Sequence, residues 1–205
     1  MNPKKAFSCA GPSAALLGVV LLANPVFLLA QNSPGFHVGV MGGAGISNDN
    51  GRTDWVDNYQ VSGFLGYNAS GPFGGRLEIG YSPSDSVAAG PRAADATRRV
   101  TYGFGDVIIA IREGAVRPYG LFGIGILDVR ADATGHDPFG QIPPYPIHDA
   151  QTVFGFNIGG GISVPLGSKW SAFAEAKYIH GSTNLHDPLS EDGLGLFFLV
   201  AGISF

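Results

Sequence analysis

Several segments of this chain pair a charged face with an apolar one, and few folds can accommodate that. Between residues 74 and 82, Leu77, Ile79 and Tyr81 alternate with Arg76, Glu78 and Gly80. Between 170 and 180, Ala172, Ala174, Ala176 and Tyr178 alternate with Phe173, Glu175 and Lys177. Between 152 and 165, Phe154, Phe156, Ile158, Ile162 and Val164 share one face, and Gly155, Asn157, Gly159, Gly161 and Ser163 share the other. Side chains of an extended strand point alternately to opposite faces. A barrel dissolved in water would turn its apolar face inward and its charges outward. Here the charged face also carries the glycine and serine that a narrow barrel needs inside, while the other face is nearly free of charge. The pattern therefore predicts an inside-out barrel with lipid around it. A ligand-binding barrel of lipocalin type, the soluble alternative, would need the reverse facing.

Eight extended segments can be marked, over about 35–45, 58–68, 74–82, 98–112, 116–130, 152–165, 170–180 and 193–205. The connections alternate in length: 46–57, 83–97, 131–151 and 181–192 are long, whereas 69–73, 113–115 and 166–169 are short. Long loops on one side and tight turns on the other suit an antiparallel barrel that crosses a membrane. The fourth segment leaves its facing open, because Val107 to Ile111 is apolar throughout. Glycine, at 32 residues, is abundant without a collagen period, and it sits inside the alternating segments where interior space is short.

The two ends point to export. Lys4 and Lys5 precede an apolar run from Ser13 to Ala30, interrupted by Asn24 and Pro25, and a polar stretch starts at Gln31. That is the layout of a signal peptide over residues 1–30. The alternative is a retained membrane helix, against which Pro25 counts. Its removal would take both lysines and no acid, moving the net charge from −4 to about −6. Such a charge gives no basic patch for nucleic acid. Cys9, the single cysteine, would leave with the signal, so the remaining domain, 31–205, cannot rest on disulfides. No second apolar run is long enough for a helical span, which leaves strands to do the crossing. The final segment ends with Phe197, Leu199, Ala201, Ile203 and Phe205 on one face.

Placed in an interior, Arg76, Glu78, Asp106, Glu175 and Lys177 can neutralise one another across a lumen, and low dielectric makes that pairing a requirement. Eight strands leave room for little more than their own side chains, which argues against a wide pore. Aromatics fall at two depths. Phe36, Tyr67, Phe73, Tyr119, Trp170 and Phe205 lie at the short-turn ends of strands, and Tyr59, Tyr81, Tyr102 and Tyr178 at the opposite ends. Two aromatic belts flanking lipid are expected of such a protein.

With Arg117-Pro118-Tyr119 leading into Gly123-Ile124-Gly125, with Phe173-Ala174-Glu175-Ala176-Lys177-Tyr178, and with a Gly-x-x-Phe ending at Phe205, the chain resembles the OmpA-like or OmpX-like outer-membrane β-barrel family. The resemblance implies an all-β, eight-stranded, antiparallel, closed transmembrane barrel in the bacterial outer membrane. It implies outer-membrane lipids and the assembly machinery as partners, with Phe205, Ile203 and Phe197 resembling the insertion signal that machinery reads. Family members serve as surface structural proteins, adhesins or narrow channels, which leaves the loops to meet an unidentified extracellular ligand; nucleic acid is not implied. The peptidoglycan-binding domain of OmpA is not expected after Phe205.

One enzymatic alternative stands beside that reading. His180-Gly181-Ser182 looks a little like the seventh-strand active site of outer-membrane lipid A deacylases, in which histidine is the base and serine the nucleophile. The chain departs from that pattern at Thr183, where an asparagine should follow, and at Leu194 and Gly195, where the orienting acid should lie; Glu191 and Asp192 come slightly early. The expectation is therefore a non-enzyme with no cofactor. His136, His148 and His186 each adjoin an aspartate (Asp137, Asp149, Asp187) but lack metal-ligand spacing, so no metal is expected. Pro138, Pro143, Pro144 and Pro146 surround Tyr145 in the third long loop, where they should stiffen it and block strand pairing. Phe139, Tyr145 and Ile142 could then meet a partner. Gly42-Gly43-Ala44-Gly45 and Gly159-Gly160-Gly161 lack the lysine and helix of a phosphate loop and read as bulges or close packing.

Overall fold

The computed structural model describes residues 34–49, 58–87, 93–135, 145–182 and 193–205. The proposed signal peptide lies outside the described residues. Eight strands form in chain order: β1 Gly35–Asp49, β2 Asn58–Asn68, β3 Phe73–Val87, β4 Ala93–Ala110, β5 Arg117–Gly135, β6 Tyr145–Pro165, β7 Ser171–Gly181 and β8 Leu194–Ser204. Each pairs antiparallel with its neighbour, and β8 returns to β1 to close the barrel. Closure leaves no open edge around the lipid-facing belt, and every backbone group there finds its partner in the wall. No helix among the described residues is long and apolar enough to cross a membrane.

The short connections at 69–72, 111–116 and 166–170 each contain one glycine with positive φ: Gly71, Gly114 and Gly167. A residue with a Cβ would be strained there, which fixes the three tight turns to one end of the barrel. Outward, the strands present Val38, Val40, Leu77, Ile79, Val107, Ile109, Phe122, Ile124, Ile126, Phe154 and Ile158, all exposed. That settles the fourth strand: Val107 and Ile109 face out, and Ile108 faces in.

The wall is uneven in height. Strands β2, β7 and β8 have 11 residues, about what a tilted strand needs to cross a membrane, whereas β5 has 19 and β6 has 21. The stretches expected as the loops 83–97 and 131–151 are largely strand. The β5–β6 ladder continues from Arg130↔Ala150 to Gly135↔Tyr145. Pro146 stands in that ladder opposite Thr134, contrary to the expectation that proline would block pairing. Among the described strands, β7 pairs with β6 only from Gly155 onward, so Pro146 is paired on its β5 side alone, where its missing N–H costs little. The glycine runs make no bulge either. Irregular register occurs instead between Ser84 and Val87 and between Ala94 and Thr97.

Candidate functional site

The most chemically loaded region is the lumen at mid-height. Even-numbered positions of β3 and β4 and odd-numbered positions of β5, β6 and β7 point inward, which puts Arg76, Glu78, Asp106, Glu175 and Lys177 in the interior, all buried. Arg76 and Asp106 are cross-strand partners, and Arg76 Nε donates to Asp106 Oδ2 at 2.8 Å. Four strands away, on the opposite wall, Glu175 accepts from Arg76 Nη1 at 2.8 Å and Nη2 at 3.2 Å. Glu78 accepts from Lys177 Nζ and, at 3.0 Å, from the Tyr102 hydroxyl. Arg76 Nη2 also stands 3.1 Å from Glu78 Oε2, close enough for charge attraction though without a hydrogen bond. Two cations thus hold three carboxylates, and both ion pairs between β3 and β7 span the barrel's width.

Sequence reasoning missed the neutral members of this cluster. Tyr119 donates to Glu175 Oε2 at 2.9 Å, and Asn157 Nδ2 donates to Asp106 Oδ1 at 3.0 Å. Tyr102 and Tyr119 were expected in the aromatic belts; both point into the lumen instead. Parity carries the signal: Tyr102 shares a face with Asp106, and Tyr119 shares one with Gly123. Glycine makes the crossing geometry possible. In the row Asp106–Gly123–Asn157, a Cβ on Gly123 would collide with Asp106 Oδ1 and come within 2.5 Å of Asn157 Oδ1. At Gly80 a Cβ would strike the Tyr102 ring. The remaining belt residues stay on the outer face: Phe36 packs on Tyr67 at 5.0 Å between ring centroids, and Trp170 on Phe205 at 4.9 Å.

Above this cluster, toward the long-loop end, the lumen is filled. Leu127, Val129, Val153, Ile179, Leu194, Leu196, Phe198 and Val200 pack together from the β5–β8 side. They face Asn58, Gln60, Ser62, Ser82 and Ser84 from β2 and β3, and Arg98 from β4, all buried. At this height the described side chains meet across the lumen as an apolar cluster facing a polar wall.

His180 and Ser182 lie elsewhere. Their parity is opposite to that of Glu175 and Lys177, so they face out, near the long-loop end of β7. The His180 ring stacks on Tyr178 at 6.2 Å and tilts against Phe156 at 5.3 Å. Its register partners are Phe156 and Gly195, neither an acid. Glu191 and Asp192 lie outside the described residues, as do His136 and His186. His148 sits on β6, and its Nδ1 is 2.6 Å from Oδ1 of the cross-strand Asp132 rather than from its chain neighbour Asp149. No grouping of three metal-ligating side chains occurs among the described residues.

A family model for the outer membrane protein beta-barrel domain matches residues 13–197. The chain belongs to that family. Solved structures of other outer membrane β-barrels agree with the fold. Neisserial surface protein A aligns with a TM-score of 0.56 at 14% identity, covering 82% of this chain and 95% of its own. A major outer membrane protein from Thermus thermophilus aligns at 0.57 and 14% identity, covering 83% and 100%. The outer membrane enzyme PagL aligns at 0.50 and 14% identity, covering 80% and 97%. At such identities the likeness concerns the fold alone. No curated protein matches the sequence.

Proposed function

We propose that this chain is an exported outer-membrane barrel whose sealed lumen serves as a brace, and whose tall wall presents a surface to the environment. The observation that carries the reading is the uneven rim. On β5 the apolar outer face ends at Ile126, and Asp128, Arg130 and Asp132 continue it. Ten or so residues suffice to cross, so β5 and β6 rise roughly 20 Å beyond the lipid. Their outer face is laced with charge: Arg99 Nη2 meets Asp132 Oδ2 at 2.8 Å, and Arg130 Nε meets Asp128 Oδ1 at 2.8 Å. The 145–154 stretch of β6 is paired to β5 and continues this raised wall.

In this reading the tight turns face the periplasm, lipid contacts the apolar belt, and the assembly machinery reads Phe205, Ile203 and Phe197. Packed side chains through the lumen favour a scaffold or adhesin over a channel. Replacing residues 131–150 by a two-residue turn should abolish binding of cells to a host or abiotic surface while leaving the heat-dependent gel mobility of the folded barrel intact. Undiminished surface binding by the shortened protein would refute the presenting role.

PagL's likeness in fold and the shared outward facing of His180 and Ser182 motivate a hydrolytic alternative. Among the described residues the His180 ring meets Tyr178 and Phe156 rather than an acid, and on that ground the non-enzymatic reading is preferred. Ser182→Ala should leave the lipid A acylation pattern of the host unchanged by mass spectrometry; loss of a deacylated species would reverse the preference.

A further inference from the structure

The periplasmic mouth holds a feature that bracing does not use. Below the Arg76 cluster lies a cavity of about 440 Å³, open between the three tight turns. Arg112, Arg117 and Lys169 line it and His37 and Arg76 border it; among the described residues the one carboxylate on its lining is the terminal one of Phe205. Asp106 and Glu175 are already engaged with Arg76. We propose that this vestibule is a binding site for a phosphate group.

Three observations support it. Arg112 is held in place from behind: Nη1 donates to the Ala69 carbonyl at 2.8 Å and Nη2 to the Phe73 carbonyl at 2.6 Å. Backbone carbonyls fix that guanidinium without neutralising it, and burial with the nearby Arg117 charge pulls its pKa below the usual arginine value. Like charges gathered around one cavity favour an anion. The wall also supplies hydroxyls from Ser163, Ser168, Ser171 and Ser204, with His37 beside them. A tetrahedral phosphate group has more acceptor sites than a carboxylate and suits a mixture of guanidinium, ammonium and hydroxyl donors. The space exceeds one phosphate. Phe64, Phe173 and Ile108 give it an apolar side for whatever carries the group.

Phosphate esters reach this end of the barrel as soluble periplasmic compounds or as headgroups of the inner lipid leaflet, and both present the same chemistry. The test is calorimetric titration of inorganic phosphate into the folded full barrel in zwitterionic detergent at low salt. Saturable one-to-one binding is expected, with chloride at equal ionic strength giving none. Arg117→Gln and Lys169→Gln should each weaken it about tenfold, the loss of one charge-assisted contact. Both residues lie at the rim, and retained heat-dependent mobility checks that the variants fold. Repeating the titration in phosphatidylglycerol nanodiscs and in a phosphate-free maltoside detergent separates the sources. Competition by phosphatidylglycerol assigns the site to lipid headgroups, and equal affinity in both assigns it to soluble phosphates. Absence of saturable binding, or full binding by the folded double variant, would overturn the proposal.

Discussion

Arg76 on β3 and Glu175 on β7 meet across the full width of the lumen as a two-pronged fork, and Lys177 and Glu78 repeat that crossing from the reverse side. Both pairs are separated by 99 residues in the chain, so they form only once the two halves of the barrel have come together. They act as cross-braces at the height where lipid squeezes the wall.

Reversing one brace tests their worth. Glu78→Lys would place a third cation beside Arg76 and Lys177, all of them buried. Breaking a buried pair in this way costs about 3–5 kcal/mol. The expected outcome is a large fall in the urea midpoint of the refolded barrel, or failure to refold. Glu175→Gln keeps an acceptor for Arg76 and Tyr119 and removes surplus negative charge, so its midpoint should move much less. Equal effects of the two variants would show that charge is not what the brace supplies.

Gly123 offers a steric test of the same cluster. A methyl group there must displace Asp106 or Asn157, and it also lies 2.9 Å from the Gly105 carbonyl. Gly123→Ala should cost about 1–3 kcal/mol, as overpacking does. Gly120→Ala, on the outer face of the same strand, meets nothing closer than the Gly159 carbonyl at 3.9 Å and should be nearly neutral. Thermal loss of the compact gel band, measured side by side, reads the difference.

Phe205 closes the seam: its N–H donates to the Val38 carbonyl and its carbonyl accepts from the Val38 N–H, both at 2.9 Å. Its ring packs on Trp170 outside the barrel. Phe205→Ala keeps the backbone bonds and loses the ring contact, so the folded state should weaken by only about 0.5–1.5 kcal/mol. If the ring is also read during insertion, the yield of assembled protein in membranes should fall far more than refolding in detergent does. Parallel losses in the two measurements would assign Phe205 a packing role alone.

How much of this was legible in the sequence depends on which face a residue occupies. Period-two alternation through Arg76, Glu78, Glu175 and Lys177 was sufficient to place strands β3 and β7 and their facing. The same count, applied to Tyr102 and Tyr119, would have turned them inward; their position near strand ends suggested belts instead. The upper reaches of β5 and β6 were hidden for a physical reason. Above the lipid nothing requires either face of a strand to be apolar. Asp128, Arg130 and Asp132 outside, with Ala131 and Ala133 inside, therefore lose the contrast that marks a membrane-spanning strand. The proline-rich stretch next to them read as loop because the pairing of Pro146 with Thr134 depends on β5 running on to Gly135, which proline content does not reveal. The basic vestibule was invisible because Arg112 and Arg117, at the β4–β5 turn, converge with Lys169 from the β6–β7 turn.

The last prediction concerns the seal. Phe198 is fully buried in the apolar upper lumen, among side chains from β4 to β8. Phe198→Ala should destabilise the barrel by about 3–5 kcal/mol, the usual cost of emptying a large aromatic site. It should nevertheless leave planar bilayers without conductance steps, because Arg76, Glu78, Asp106, Glu175 and Lys177 still bridge the lumen beside the void. Steps appearing in Phe198→Ala alone would mean that the apolar packing, and not the ionic cross-brace, keeps the lumen shut.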